Sequence, residues 1–276
     1  MLSDLKTVLD LAEEKQCAIP AFNVYNAETV MGALEAAEEA GSAVILQMYS
    51  RLFSSTEAEF LAPSVVAACQ RAKVRAVFHL DHGADDTVVA KALRWGCTGI
   101  MRDASTLPYE ENVAVMKKVT DFCHAAGVPV EGELGHVGMA KDGVGTDYTD
   151  AQEAKRFVEE TGVDALAVMV GTAHGRYKQA PVLAIDRIRE IHEATKAHLV
   201  MHGGSGVPDD QIRAAVKAGI RKFNIGTDVC YSFLDQVFAN GRDTVAVDLF
   251  MKEPVQAVKR FCLDRIRLLG AEGSNG

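Results

Sequence analysis

Eight short β-prone runs, each set off from the next by a longer segment of helical apolar spacing, constrain this chain more than any other feature. They centre on 18–24, 43–48, 74–80, 98–102, 128–134, 165–170, 198–202 and 222–225. Between them the apolar spacing changes to three and four, as in the stripe Val30, Met31, Leu34 and Ala37 and the stripe Ile185, Ile188 and Ile191. Such alternation predicts an α/β fold, a single-domain (β/α)8 barrel of TIM type spanning 1–276. The competing arrangement is an open doubly wound sheet. Closure is favoured because polar residues follow many successive strands, and a barrel brings those strand ends together.

The punctuation agrees. Gly41, Gly96, Gly127, Gly162 and Gly219 each stand just before a predicted strand, where a helix C-terminal cap falls. Asp150 with Glu153 resembles a capping box, and Pro208 suits another helix start. Residues 135–148 are glycine-rich and without a period, which predicts a mobile loop over the barrel mouth. Beyond Tyr231 the spacing predicts additional C-terminal helices, broken near Asn240-Gly241 and Pro254. Phe261, Leu263, Ile266 and Leu269 mark the last helix, packed on the barrel or on another subunit.

Composition removes several function classes. A formal charge of -9 without a basic tract argues against nucleic-acid binding. The apolar runs are too short to span a bilayer, and no signal peptide is recognisable at the start. The 6 cysteines form no CxxC pair, which suits buried thiols in a reducing cytoplasm.

Chemistry-bearing residues cluster at strand ends. In His79-Leu80-Asp81-His82-Gly83, His79 and Asp81 share a face, and His82 lies where strand gives way to loop. A core histidine bonded to a carboxylate would give the same letters. Gly171-Thr172-Ala173-His174-Gly175 and His202-Gly203-Gly204-Ser205-Gly206 end the sixth and seventh strands. With His82 they offer three neutral imidazoles, a credible catalytic zinc site with an open position. His124, His192 and His198 lack this setting and are read as surface or packing residues. Glu131 and Glu133 share a face and would orient the imidazoles, as would Asp103, for which a salt bridge to Arg102 is the alternative. Residues 202–206 and Asn224-Ile225-Gly226-Thr227 offer backbone N–H groups and hydroxyls for a phosphate. No GxGxxG dinucleotide fingerprint is present.

Together with Ala21-Phe22-Asn23-Val24 and Glu131-Gly132-Glu133-Leu134-Gly135, these motifs resemble the class II, metal-dependent ketose-bisphosphate aldolase family, nearest its tagatose-bisphosphate aldolase-like branch. The likeness runs in order over about 5–230. It implies reversible cleavage of a phosphorylated ketose to dihydroxyacetone phosphate and an aldehyde. By the same resemblance His82, His174 and His202 hold one Zn2+ per subunit, and Asp81 exchanges the proton of the hydroxyl at the cleaved bond. Glu131 is a supporting carboxylate, Glu133 lines an alternate metal position, and Asn224 contacts the dihydroxyacetone phosphate moiety. Gly175, Gly203, Ser205 and Thr227 resemble the surroundings of the phosphate and of a monovalent cation such as Na+ or K+. A homodimer or homotetramer is implied, in some relatives with an accessory subunit.

Two positions depart from the pattern. Lys141 stands where the loop glutamate that handles the carbon-bound proton is expected, which leaves either Asp142 or another carboxylate to stand in for it. The second-strand loop Gln47-Met48-Tyr49-Ser50-Arg51 is also unusual; Arg51 either meets a second phosphate or a carboxylate, or faces solvent. Competing readings are a metal-dependent sugar-phosphate isomerase or epimerase, and a non-catalytic partner subunit.

Overall fold

The structure, a computed structural model, describes residues 1–143 and 147–276, with Asp142 described in its backbone alone. Its strands are β1 (Ile19–Asn23), β2 (Val44–Tyr49), β3 (Ala76–Gly83), β4 (Gly99–Arg102), β5 (Val130–Leu134), β6 (Ala165–Val168), β7 (His198–Met201) and β8 (Ile220–Ile225). Each pairs in parallel with the next, and β8 returns to β1, so the sheet closes into an eight-stranded barrel surrounded by helices. The open-sheet alternative is therefore excluded.

Local chemistry sets the element ends. Asn26 opens the helix Ala27–Ala40 with a reciprocal capping box to Thr29, and Gly41 closes it in the left-handed region at φ 58°. Asp150 accepts hydrogen bonds from the Gln152 and Glu153 N–H groups at the start of Ala151–Thr161, which Gly162 ends at φ 70°. Pro208 is the cap residue of Asp209–Ala218, one place earlier than a first-turn proline.

Apolar side chains fill the layer between barrel and helices, while β1, β2, β3, β5 and β8 carry polar groups among their buried residues. In β3 the alternation is explicit: Phe78 stacks toward Phe53 at 6.2 Å, whereas His79 lies near Glu131. The helix Leu5–Lys15 buries Leu5, Val8 and Leu9 and runs beneath the strand starts. After Ala239 the chain breaks at Asn240, as expected, and resumes in the helices Val247–Phe250 and Lys252–Leu268. That last helix packs on its own chain: a Cβ at Gly32 would lie 2.7 Å from Val258 Cβ, so glycine permits the close crossing. Val258, Cys262 and Ile266 are buried there.

All 6 cysteines are free thiols. Among the described residues no helix is long and apolar enough to cross a membrane.

Candidate active site

Strand alternation would send His82 outward, opposite Asp81. Instead the β3–β4 register shifts between Leu80 and Gly83, and His82 takes a left-handed φ of 49°. That conformation costs about 1–2 kcal/mol in a non-glycine residue, and it turns the imidazole back over the mouth. His174 leaves β6 through a bridge to Met139, and His202 follows directly on β7.

The three rings converge. Asp103 Oδ2 faces His82 Nδ1 at 2.8 Å, the Val137 carbonyl faces His174 Nδ1 at 3.0 Å, and Glu131 Oε1 faces His202 Nε2 at 2.8 Å. Each acceptor fixes a ring proton on the nitrogen beside it, so each neutral ring turns a bare lone pair inward. His82 Nε2 then lies 3.2 Å from His174 Nε2 and 2.9 Å from His202 Nδ1. Lone pairs that close repel one another unless a cation sits between them. Glu133 Oε2 adds to the case, being buried without a hydrogen-bond partner among the described residues and 4.0 Å from His202 Nδ1. The donor set fits a divalent metal.

Charge balance points the same way. Burial lowers His82, but Asp81, Asp103 and Glu133 overcome it and raise the imidazole to about 9. His174, buried and facing His202 and His82, falls to about 3. The acidic surroundings thus favour positive charge at the centre, while the crowded rings cannot all carry it.

Asp103 serves His82 rather than Arg102. The Arg102 guanidinium donates to the Gly83 and Asp103 carbonyls, leaving the Asp103 carboxylate to His82 and Ser105. Glu131 is fully buried and bridges His202 to Lys222, whose Nζ lies 2.9 Å from Glu131 Oε2. His79 lies below the mouth, 3.4 Å from the same oxygen, outside the histidine triad.

Asp81 is gripped by two oriented amides. Lys222 Nζ can only donate, so the Asn224 atom 2.7 Å from it is the oxygen, and the amide nitrogen turns to Asp81 Oδ1 at 3.4 Å. On the other side Gln47 Nε2 donates to Asn23 Oδ1 at 2.9 Å, and Asn23 Nδ2 donates to Asp81 Oδ2 at 2.7 Å. Burial pushes Asp81 up, but His82, His202 and Lys222 outweigh it and hold its carboxyl below the ordinary value.

Asp81, His82 and His174 border one cleft of about 360 Å3, which Asn224, Gly175, Gly203, Ser205 and Thr227 also line. Thr227 begins the helix Thr227–Ala239, whose N-cap Gly226 has no side chain to offer; Ser205 Oγ accepts from the Asp228 N–H at 3.2 Å, and this helix end opens beside these loops. Gly203 sits at φ 66°, where a Cβ would clash with the Ala173 carbonyl oxygen. Tyr177 ties the two loops together, accepting from Ala173 N–H and donating to the Gly203 carbonyl, both at 2.8 Å. Arg51 reaches the same cleft, with its guanidinium over the rings of Tyr49 at 5.2 Å and Tyr25 at 5.7 Å.

Sequence reasoning assigned no role to Lys222, Tyr177, Gln47 or His136. Lys222 was detectable in principle: it stands two residues before Asn224 in one strand, so both share the inward parity. Tyr177 and His136 sit in loops, where no period exposes them. The Asp142 side chain and residues 144–146 of the glycine-rich loop lie outside the described residues. What precedes them is pinned across the mouth, since Ala140 N–H donates to the His174 carbonyl at 2.8 Å.

The family model for class II fructose-bisphosphate aldolase matches residues 3–274. The uncharacterized protein YdjI of Escherichia coli is 39% identical over 99% of this chain and 99% of its own. A crystal structure of the YdjI aldolase from the same organism superposes with a TM-score of 0.92 at 36% identity, covering 100% of both chains. A fructose-bisphosphate aldolase structure from Campylobacter jejuni shares the fold, with a TM-score of 0.81 at 22% identity over 99% of this chain and 97% of its own. A closed βα barrel bearing a convergent histidine triad, matched end to end by these relatives, belongs to the class II fructose-bisphosphate aldolase family, whose members are metal-dependent carbon–carbon lyases.

Proposed function

We propose that this chain catalyses the reversible aldol cleavage of a phosphorylated ketose into dihydroxyacetone phosphate and an aldehyde. The observation that carries this reading is Asp81, an ionised carboxylate gripped by Asn23 and Asn224 and 3.8 Å from His82 Nε2. In cleavage the Asp81 carboxylate takes the proton from the hydroxyl of the departing aldehyde fragment, and in synthesis it returns that proton. Asn224, fixed by Lys222, directs its amide N–H toward the same region and orients the dihydroxyacetone phosphate moiety. Gly175, Gly203, Ser205 and Thr227 anchor the phosphate, with a monovalent cation such as Na+ or K+ beside it, so a non-reacting part of the substrate supplies orientation.

His82, His174 and His202 would hold the metal, with Asp103 and Glu131 fixing the tautomers and Glu133 lining an alternate position. Three imidazoles with an open position favour one zinc ion per subunit. Bound there, the ion supplies electrostatic stabilisation of the negative charge that cleavage leaves on the ketose oxygen.

Replacing Asp81→Asn is expected to spare metal content while lowering cleavage by roughly 10²–10⁴-fold. The check is release of dihydroxyacetone phosphate from a stereochemical panel of ketose mono- and bisphosphates. Undiminished turnover in the variant would remove Asp81 from its role. Absence of release from the metal-loaded wild type, with interconversion of the sugars instead, would favour the isomerase reading.

The helix Thr227–Ala239 buries only Val229, and it exposes Tyr231, Leu234 and Phe238 on a face that water does not favour. We propose that this face supports a homodimer or homotetramer, or receives an accessory subunit, in the cytoplasm. Phe238→Asp is expected to lower the molar mass measured by light scattering; an unchanged mass would clear this helix of the role.

A further inference from the structure

An aldol reaction moves two protons. One belongs to the hydroxyl oxygen, the task given to Asp81 above. The other belongs to the carbon of dihydroxyacetone phosphate that forms or breaks the bond. The second transfer needs its own base at the mouth, with a lone pair not already engaged.

Among the described residues lining the cleft, most basic groups are spoken for. The inward nitrogens of His82 and His174 face the metal position, with that of His202 beside them. Asp103 is committed through both oxygens, Oδ2 to His82 and Oδ1 to Ser105. Tyr25 and Tyr49 are held as neutral phenols, chiefly by burial. Arg51 has no lone pair to offer. His136 remains.

Its state can be read from its neighbours. Asp103 accepts the His82 ring proton, so it is a carboxylate and cannot donate to Ser105. The single Ser105 Oγ proton therefore points to Asp103 Oδ1, at 2.8 Å. With that proton used, the contact of Ser105 Oγ to His136 Nδ1 at 3.0 Å has the imidazole as donor. His136 is thus held as the Nδ1–H tautomer, and Nε2 carries a lone pair with no hydrogen-bond partner among the described residues. The side chain is 50% exposed and borders the cleft next to Val137, Gly138 and Met139. It enters from the β5 exit, two strands round the mouth from Asp81 on β3. A base oriented by a hydroxyl and a carboxylate is the arrangement that nucleophile and acid–base sites use to fix a tautomer.

We propose that His136 Nε2 is the catalytic base that exchanges the carbon-bound proton of dihydroxyacetone phosphate, resting on the aldolase reading above. In synthesis the proton on the carbon beside the carbonyl passes to Nε2. The C–H electron pair becomes the carbon–carbon double bond of an enolate, and the carbonyl π pair moves to oxygen. The enolate carbon then attacks the aldehyde carbon, and the new alkoxide takes its proton from Asp81 in its protonated form, which water supplies while the imidazolium gives its own proton back to water. In cleavage each step reverses, and the imidazolium returns its proton to carbon. The relay through Ser105 to Asp103 keeps the imidazolium facing a negative charge.

The test is hydrogen exchange between deuterated water and the prochiral carbon of dihydroxyacetone phosphate, followed by proton NMR without any aldehyde. Metal-loaded wild type is compared with His136→Gln, His136→Gly, Ser105→Ala, Lys141→Ala and Asp142→Asn, and the metal content of each is measured by mass spectrometry. Exchange is expected to fall roughly 10²–10⁴-fold in His136→Gln with metal content intact. It should fall less in Ser105→Ala, and recover in His136→Gly when imidazole is added. Lys141→Ala is expected to exchange as wild type does.

Wild-type exchange by His136→Gln, or no imidazole rescue of metal-loaded His136→Gly, would overturn the proposal. A loss found only in Asp142→Asn would overturn it as well. Those outcomes leave the aldolase reading standing. A wild type that neither exchanges this proton nor releases dihydroxyacetone phosphate from any ketose would sink both.

Discussion

At the N-terminal rim of the barrel, His124, His192 and His198 each meet one carboxylate: Asp164 at 2.8 Å, Glu13 at 3.6 Å and Asp10 at 2.8 Å. At the opposite rim His82 and His202 also meet carboxylates, Asp103 and Glu131, both at 2.8 Å. Pairing alone does not separate the two ends. What differs is the second nitrogen of each ring. Around the lower rim the pairs stand apart, one to one, with no shared centre among the described residues. At the mouth the three remaining lone pairs converge on one centre, with His82 Nε2 within hydrogen-bond distance of both of the others, and three neutral rings leave all of them unsatisfied. A metal centre is recognised by that convergence, and the histidine–carboxylate pair is only its support.

This contrast can be broken by substitution. The largest effect is expected in the triad: alanine at His82, His174 or His202 should reduce cleavage to the level of metal-free protein. Equal loss on replacing a lower-rim histidine would erase the distinction. The next effect concerns the floor of the site. Lys222 and Glu131 are both fully buried, so Lys222→Met strands a carboxylate in the barrel interior. Denaturant unfolding should show a loss of about 3–5 kcal/mol, the cost of breaking a buried ion pair. A change below 1 kcal/mol would mean that Glu131 takes up a proton or finds another partner. The smallest effect is expected at His198, half of whose pair is exposed on Asp10. His198→Ala should cost about 1 kcal/mol or less and leave metal content untouched.

Much of this was legible in the sequence, for physical reasons that also mark where it stopped. The strands announced themselves because a parallel barrel buries both faces, which leaves short apolar runs between turn signals. Glycine caps such as Gly41 and Gly162 were readable because the left-handed backbone selects the residue. The triad was readable because βα loops of a barrel gather at one end, so His82, His174 and His202 had to meet once closure was assumed. Period-2 reasoning alone could not turn His82 inward. That required a register shift and a left-handed residue, neither of which leaves a periodic trace. Lys222 escaped notice because a lysine in a strand reads as a solvated edge, while here the barrel interior supplies its counter-charge. The His136–Ser105–Asp103 relay joins two loops, and nothing local to either loop foretells the contact. The expected stand-in at Asp142 belongs to the stretch whose side chain is outside the described residues.

The measurement that bears most directly on the triad is metal stoichiometry. Stripped protein would be titrated with zinc against a chromophoric chelator, in parallel with His202→Ala and His198→Ala. One tightly held ion per chain is expected in the wild type and in His198→Ala, and none in His202→Ala. Equal zinc uptake by all three proteins, or none by the wild type, would contradict a metal centre built on the convergence of His82, His174 and His202.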